Sequence, residues 1–406
     1  MPQASKVSMR VARAAKVLGM PLTQEQCVKA LTGLGLPVVE GAGVVEVTAP
    51  SFRFDLQIEE DLIEEVARMI GFHHLPQTPP NAPITAKIRP ENQRSGFAVR
   101  RTLAGLGYQE TINFSFVEER WEHELAGNPN PIKLLNPIAS QMSVMRSSLL
   151  GSLLQVLKFN QDRKAQRVRV FELGRVFLRD ASISSSDTTV QGFDQPMKVA
   201  GLAVGSVNVP EWGCKERAVD FYDVKGDLEA LFAPTRLTFE SAQHPAMHPG
   251  RCARVLCHGK PVGFVGELHP KWRQTYDLVQ APVLFEVDLD AVLNRQVPKF
   301  TSVPRFQAVE RDIAVLVNES VTHDALMHAI WSAQAQDVLR DAVLFDIYRP
   351  KTTDTSVAQL SPSEKSMAVR LILNSDETAL TEQQIEATVA AVVASLTEKV
   401  GARQRV

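Results

Sequence analysis

Several large protein classes are excluded by what this 406-residue chain does not contain. It has no run of 18 apolar residues, so no membrane-crossing helix is expected. Its N-terminus, MPQASKVSMRVARAAKVLGM, carries basic residues without a continuous apolar core, which argues against a signal peptide. Cysteine is scarce: Cys27, Cys214, Cys252 and Cys257 show no CxxC spacing and read as free thiols in a reducing cytoplasm. The C-x4-C-H run ending at His258 matches no usual zinc spacing. There is no P-loop, no GxGxxG and no Ser-His-Asp order, so neither dinucleotide binding nor nucleophilic catalysis has support. Net charge is only −2. Without a basic surplus, any RNA contact has to be local.

What is present describes an ordinary globular protein of two to four domains, with 44% hydrophobic residues. Residues 6–35 read as two short helices, the second capped by Thr23 with Gln26 and stopped at Gly33 or Gly35. VVEVTAP (44–50) alternates as a strand, and a third helix runs from about Glu59 to Ile70, ending at Gly71. This suggests a small helix-turn-helix-like domain over 1–76. A proline-rich linker, 77–90, follows. Residues 91–298 hold a helix from Glu91, the strand QETINFSF, a loop and then a long amphipathic helix within LLNPIASQMSVMRSSLLGSLLQVLKFNQDR, and a strand at 167–178 turning at Gly174. Further strands interrupted by the helix FYDVKGDLEALF complete an α+β antiparallel sheet. After a second linker, 299–310, the order over 311–406 is βαββαβ, a ferredoxin-like split, with a capping box at Thr381 and Gln384.

One stretch crowds six carboxylates into the eleven positions from Asp55 to Glu65. Asp61, Glu64 and Glu65 share a helical face, and Asp55 lies just before the first turn. Like charges so placed repel by a few tenths of a kcal/mol, about 0.2–0.5 per pair. The spacing leaves two readings open. The acids complement the helix dipole and pair with Arg53 and Arg68, or they gather a hard divalent cation or a partner's basic patch. Segment 158–179 is the most basic, a phosphate contact or a charged strand edge. VGFVGELHP sets two glycines on a strand, marking the close approach of a ligand or of backbone. In the last domain Phe345, Asp346, Tyr348, Lys365, Ser366 and Arg370 fall on adjoining strands whose face suits base recognition. From Arg305 onward there are ten Lys/Arg against fourteen Asp/Glu, which disfavours nonspecific backbone binding and leaves room for a few base contacts.

The segments APSFRFDLQIEEDLIEEVARMIGF, NPIASQMSVMRSSLLGSLL, FELGRVF, VGFVGELHP and RDIAVLV…LFDIY…KSMAVRL, in this order, resemble the β subunit of bacterial phenylalanyl-tRNA synthetase, C-terminal half. The resemblance implies three modules. They are the small N-terminal domain, a noncatalytic copy of the class II synthetase catalytic fold, and a ferredoxin-like anticodon-binding domain. It implies an α subunit that does the chemistry with ATP, an (αβ)2 heterotetramer, tRNA(Phe) as ligand and a cytoplasmic location. Asp55, Asp61, Glu64 and Glu65 match the family's Mg2+ ligands, shared with α, and Asp346 and Ser366 match positions near the anticodon's first base. Leu268-His269 stands where an active copy would continue with Glu-Arg, so the phosphate clamp is missing. The loop RPKTTDTSVAQLSPSE is longer than the family's common form. The competing expectations are a stand-alone noncatalytic tRNA-binding or regulatory paralogue and, with only the acidic quartet in its favour, a metal-dependent hydrolase.

Overall fold

Residues Lys6–Arg10, read as helical from the sequence, form a strand whose side chains alternate between solvent and core. The alternation acquires meaning only opposite its partner: Val7 and Met9 face the core beside Val47 and Val45 of the antiparallel strand Val44–Thr48. A third strand, Val38–Gly41, completes the sheet on the other side of Val44–Thr48. Helices Val11–Leu18, Gln24–Gly33 and Glu59–Ile70 pack Ala14, Leu31, Leu62, Ile63 and Val66 into one core with it. The Thr23–Gln26 capping box forms as the sequence predicts. The computed structural model describes the chain except residues 1–3, 80, 85, 87, 89, 301–302, 334–337, 350–360, 362 and 406. It divides into two compact units, Met1–Ile88 and Arg89–Val406, and this is the first.

The second unit contains a seven-stranded sheet. Its order is Leu237–Ser241, Met247–Cys257, Lys260–Leu268, Val283–Asp288, Met197–Val204, Val168–Arg175 and Gln109–Glu110. All neighbours are antiparallel except the last pair. Both faces are covered. Helices Gly96–Gly105 and Phe221–Phe232 pack Leu103, Leu228 and Phe232 on one face with Phe171 and Phe285. Helix Leu150–Gln161 packs Leu153, Leu154 and Leu157 on the other with Val170, Leu202 and Trp272.

Three local expectations change. The helix expected from Glu91 starts at Gly96, where Ser95 Oγ accepts the Ala98 N–H at 3.1 Å. Residues 92–94 are drawn instead into a short antiparallel ribbon with 293–295. Gln93 lies opposite Asn294, the Arg94 N–H donates to Leu293 O, and the Arg295 N–H donates to Asn92 O, both at 2.8 Å. QETINFSF is a strand only at its two ends, Gln109–Glu110 and Phe116–Val117. Gly174 does not turn the chain but stays within Val168–Arg175, where Arg146 and Leu149 fill the space a side chain would need.

The same unit holds the βαββαβ segment: Val309–Asn318, helix His323–Trp331, Leu339–Tyr348, Glu364–Leu373, helix Glu382–Val400 and Arg403–Gln404. In chain order these four strands stand 2-3-1-4 across the sheet, the ferredoxin-like arrangement. The two helices cover one face through Leu326, Ile330, Val392 and Leu396. Among the described residues no helix of this segment packs on the other face.

Candidate functional site

The acidic helix comes first. Asp61 acts as its cap: one carboxylate oxygen accepts the Gln57 and Ile58 N–H groups at 2.7 and 2.8 Å, satisfying donors at the helix start. Glu59 in the same first turn binds the Arg10 N–H (2.8 Å) and guanidinium (2.7 Å). The Arg10 hydrogen bond outweighs burial and lowers its pKa from 4.5 to about 2. Arg13 pairs with Glu59 and Glu60. Glu65 is only 7% exposed. Arg53 Nη2 reaches it at 2.6 Å and reaches Asp55 at 2.8 Å, while Arg68 closes on its other oxygen. Burial pushes the Glu65 carboxyl up, but Arg68 and Arg53 outweigh it and hold it below the usual carboxylate range. The Arg53 hydrogen bond likewise lowers Asp55. Glu64 points to solvent.

The quartet expected from the resemblance is therefore divided. Asp55 and Glu65 are bridged by Arg53, Asp61 is spent on backbone amides, and Glu64 stands apart. Among the described residues no group of three or more Asp, Glu, His or Cys could hold a metal ion. Oxygen donors suit Mg2+ in kind. As placed, with a guanidinium between two of them, they do not fit it. Exposed Phe52, Phe54 and Ile58 flank this network.

In the large sheet, the groups an active site would present are turned inward. Arg146 and Glu172 form an ion pair at 2.8 Å with both side chains 4% exposed. Asn113 donates to the second Glu172 oxygen, and Arg146 Nε to the carbonyl of Arg175. Glu286 is half-buried; burial pushes its carboxyl up, and it accepts from Ser148 Oγ and the Leu149 N–H. The glycines of VGFVGELHP meet protein. Gly263 lets the backbone at Glu286 and Val287 approach, and Gly266 faces Met247, Arg251 and Cys252. At Gly201 the Phe285 ring takes the space of a side chain.

Two arginines of the basic stretch are occupied too. Arg167 donates to the carbonyls of Ser206 and Val207, and Arg169 lies buried over the Tyr108 ring with Asp227 at 3.4 Å. The proline-flanked histidines fasten turns, His244, His248 and His269 accepting the N–H of Ala246, Gly250 and Lys271.

The open face of the last sheet carries the third candidate. Across the register Tyr348 lies opposite Ser366, Asp346 opposite Ala368 and Val343 opposite Arg370, so Asp346 and Ser366 belong to neighbouring rows of one face. Asp346 is exposed, whereas Ser366 is 3% exposed. Lys365 is buried and donates to the carbonyl of Glu319. Phe345 is 52% exposed, with the Arg370 guanidinium 5.5 Å from its ring centre. Asp312 holds that guanidinium through two hydrogen bonds of 2.8 and 2.9 Å. Arg405 lies 5.8 Å from the Tyr348 ring. Asp312 and Arg405 were not singled out from the sequence; their distance along the chain from Phe345 and Tyr348 hides the grouping. Most of the long loop at 349–364 lies outside the described residues.

Three family models match the chain in succession: the tRNA synthetase B5 domain over 7–72, the phenylalanyl-tRNA synthetase beta chain CLM domain over 75–289, and the ferredoxin-fold anticodon-binding domain over 304–405. Their order defines a multidomain α+β chain of the aminoacyl-tRNA synthetase class, in which a class II synthetase-like sheet stands between the other two modules. Phenylalanine–tRNA ligase beta subunits from Cupriavidus pinatubonensis and Ralstonia nicotianae are each 46% identical to it over all of this chain and 50% of theirs. One from Chromobacterium violaceum is 46% identical over 49% of its length. The chain belongs to the phenylalanyl-tRNA synthetase beta chain family, and it spans about half the length of the curated relatives it matches. A pyrrolysyl-tRNA synthetase structure from Desulfitobacterium hafniense is 11% identical with a TM-score of 0.34, covering 67% of this chain and 88% of that one.

Proposed function

We propose that this chain is a noncatalytic part of phenylalanine–tRNA ligase. In this reading it docks in the cytoplasm with an α subunit in an (αβ)2 assembly, leaves the ATP-driven charging of tRNA(Phe) to that subunit, and binds the anticodon on its last sheet. The observation that carries the reading is the sheet face opposite the helices, on which an exposed aromatic ring, an arginine fixed by a carboxylate and the exposed Asp346 lie together. Unstacked bases are recognised by such stacking surfaces and side-chain hydrogen bonds. The buried pair of Arg146 and Glu172 supports assigning the chemistry elsewhere, because each is spent on the other.

A Mg2+ ion at Asp55, Asp61, Glu64 and Glu65, together with Ser366 as an anticodon contact, belongs to the same proposal. Each requires a rearrangement: Arg53 has to leave Asp55 and Glu65, and Ser366 has to be uncovered. The exposed Phe52, Phe54 and Ile58 support a protein partner at the acidic helix.

The test is to mix the chain with an α subunit, separate the products by gel filtration and assay tRNA binding. Co-elution with α and tRNA(Phe) binding by the complex are expected. A chain that elutes alone yet binds tRNA is the stand-alone paralogue instead, and one that binds neither overturns the reading.

A further inference from the structure

A second feature of the large sheet is unused by the proposed function. The hairpin between Met247–Cys257 and Lys260–Leu268 turns through His258 and Gly259, both left-handed with φ of 51° and 73°. Beside it is a cavity of about 320 Å³ whose walls include the apolar Val262 and Ala291 as well as His258, Lys260, Asn294 and Arg295, with no carboxylate among the described residues. Lysine, arginine, histidine and amide side chains supply several hydrogen-bond donors around one opening. The three acids lining the larger polar cavity at Arg167 and Arg169 make that cavity of mixed sign by contrast.

The ribbon that closes the domain strengthens the positive field. The Gln93–Asn294 register puts residues 92 and 94 on one side with 293 and 295, so Arg94 and Arg295 share a face. Nε and Nη2 of Arg94 are buried without a hydrogen-bond partner. Burial first, and the nearby Arg295 charge second, lower its pKa. Arg295 donates Nε to the carbonyl of Glu91 at 3.1 Å, which anchors the side chain, and no carboxylate among the described residues lines the cavity beside it.

We infer that the cavity beside the His258–Gly259 turn is a phosphate-binding site in which Lys260 and Arg295 hold the anion. Its ligand is a phosphate group carried either by an RNA backbone or by a small phosphate such as pyrophosphate. The first source rests on the tRNA-binding reading above and the second does not. A phosphate there places one anion between cations that otherwise repel one another, and bidentate pairing with a guanidinium favours it.

The experiment uses the full chain with the double substitution Lys260→Gln and Arg295→Gln, and Lys16→Gln, an exposed lysine elsewhere, as the charge control. Labelled tRNA binding is followed by anisotropy between 50 and 200 mM salt, and pyrophosphate binding by calorimetry. If RNA is the source, the double variant binds tRNA roughly five- to tenfold more weakly and its log–log salt slope falls by about 1 to 2. If a small phosphate is the source, tRNA binding is unchanged while saturable pyrophosphate binding is lost. The site is overturned if neither changes, or if Lys16→Gln gives the same losses. Wild-type chain that binds pyrophosphate but no tRNA removes the tRNA reading and leaves the phosphate site standing.

Discussion

Arg53 and Glu65, twelve residues apart in sequence, meet at 2.6 Å and tie the segment before the acidic helix to its second turn. The contact removes a like-charge conflict without a metal, and it sets the terms on which a cation competes. Replacing Arg53 with Met should free Asp55 and Glu65 and raise the affinity for Mg2+ over wild type, read by calorimetry on the isolated chain. Equal or weaker binding in the variant would show that the acids do not converge once the arginine is gone.

Glu65→Gln leaves Arg53 and Arg68 facing a neutral amide at a nearly buried position. Removing one partner of a buried pair costs about 3–5 kcal/mol, and partial exposure of Arg68 reduces that to about 2 kcal/mol here. Urea unfolding checks the loss. A variant as stable as wild type means the network is held by the backbone rather than by charge.

The pair of Arg146 and Glu172 is the deeper case. Glu172→Gln and Arg146→Met should each destabilise the second unit by about 3–5 kcal/mol, and an apolar double replacement by less than the two added together. A thermal double-mutant cycle measures the coupling. Additive losses would contradict a direct interaction.

Acid sensitivity should come in two stages. Burial lowers His244 from 6.5 to about 4. The unfolded chain therefore takes up that proton first, and the stability His244 contributes is lost as pH falls from about 6.5 to about 4. Glu59, lowered from 4.5 to about 2, repeats the sign, and its share is lost between about 4.5 and about 2. Denaturant midpoints from pH 7 to 2.5 follow both. His244→Gln should flatten the upper stage only, Glu59→Gln the lower one only.

Gly201→Ala should destabilise the large sheet by about 1–3 kcal/mol, since the added carbon enters the space held by the Phe285 ring. Combining it with Phe285→Leu should recover part of the loss in melting temperature. No recovery would place the strain in the backbone.

Local signals in the sequence carried far where a residue acts on its near neighbours. Helix Glu59–Ile70 with its stop at Gly71, and the boxes at Thr23 and Thr381, each depend on groups within one turn. The ferredoxin-like order was readable for a similar reason, since every element there but the short last strand, Arg403–Gln404, is long enough to show its period. Pairing of the acids with Arg53 and Arg68 was one of two open readings, and spacing alone could not choose between them. Lys6–Arg10 was misread because five residues running directly into a helix show no break, and their strand character depends on a partner 34 to 42 residues away. Ser366 and Glu286 show the same limit at the sites. A polar residue on a strand looks available, yet Glu286 answers an N–H 137 residues distant and Ser366 lies covered.

The ribbon of residues 92–94 with 293–295 has a practical meaning for engineering. The polypeptide enters and leaves the seven-stranded sheet through one doorway, with the two passing segments already hydrogen-bonded. Domains whose ends lie close together tolerate insertion and permutation. Cut at that crossing, both core clusters of the sheet stay whole, and the contact to give up on the far side is that of Arg236 with the Trp331 ring.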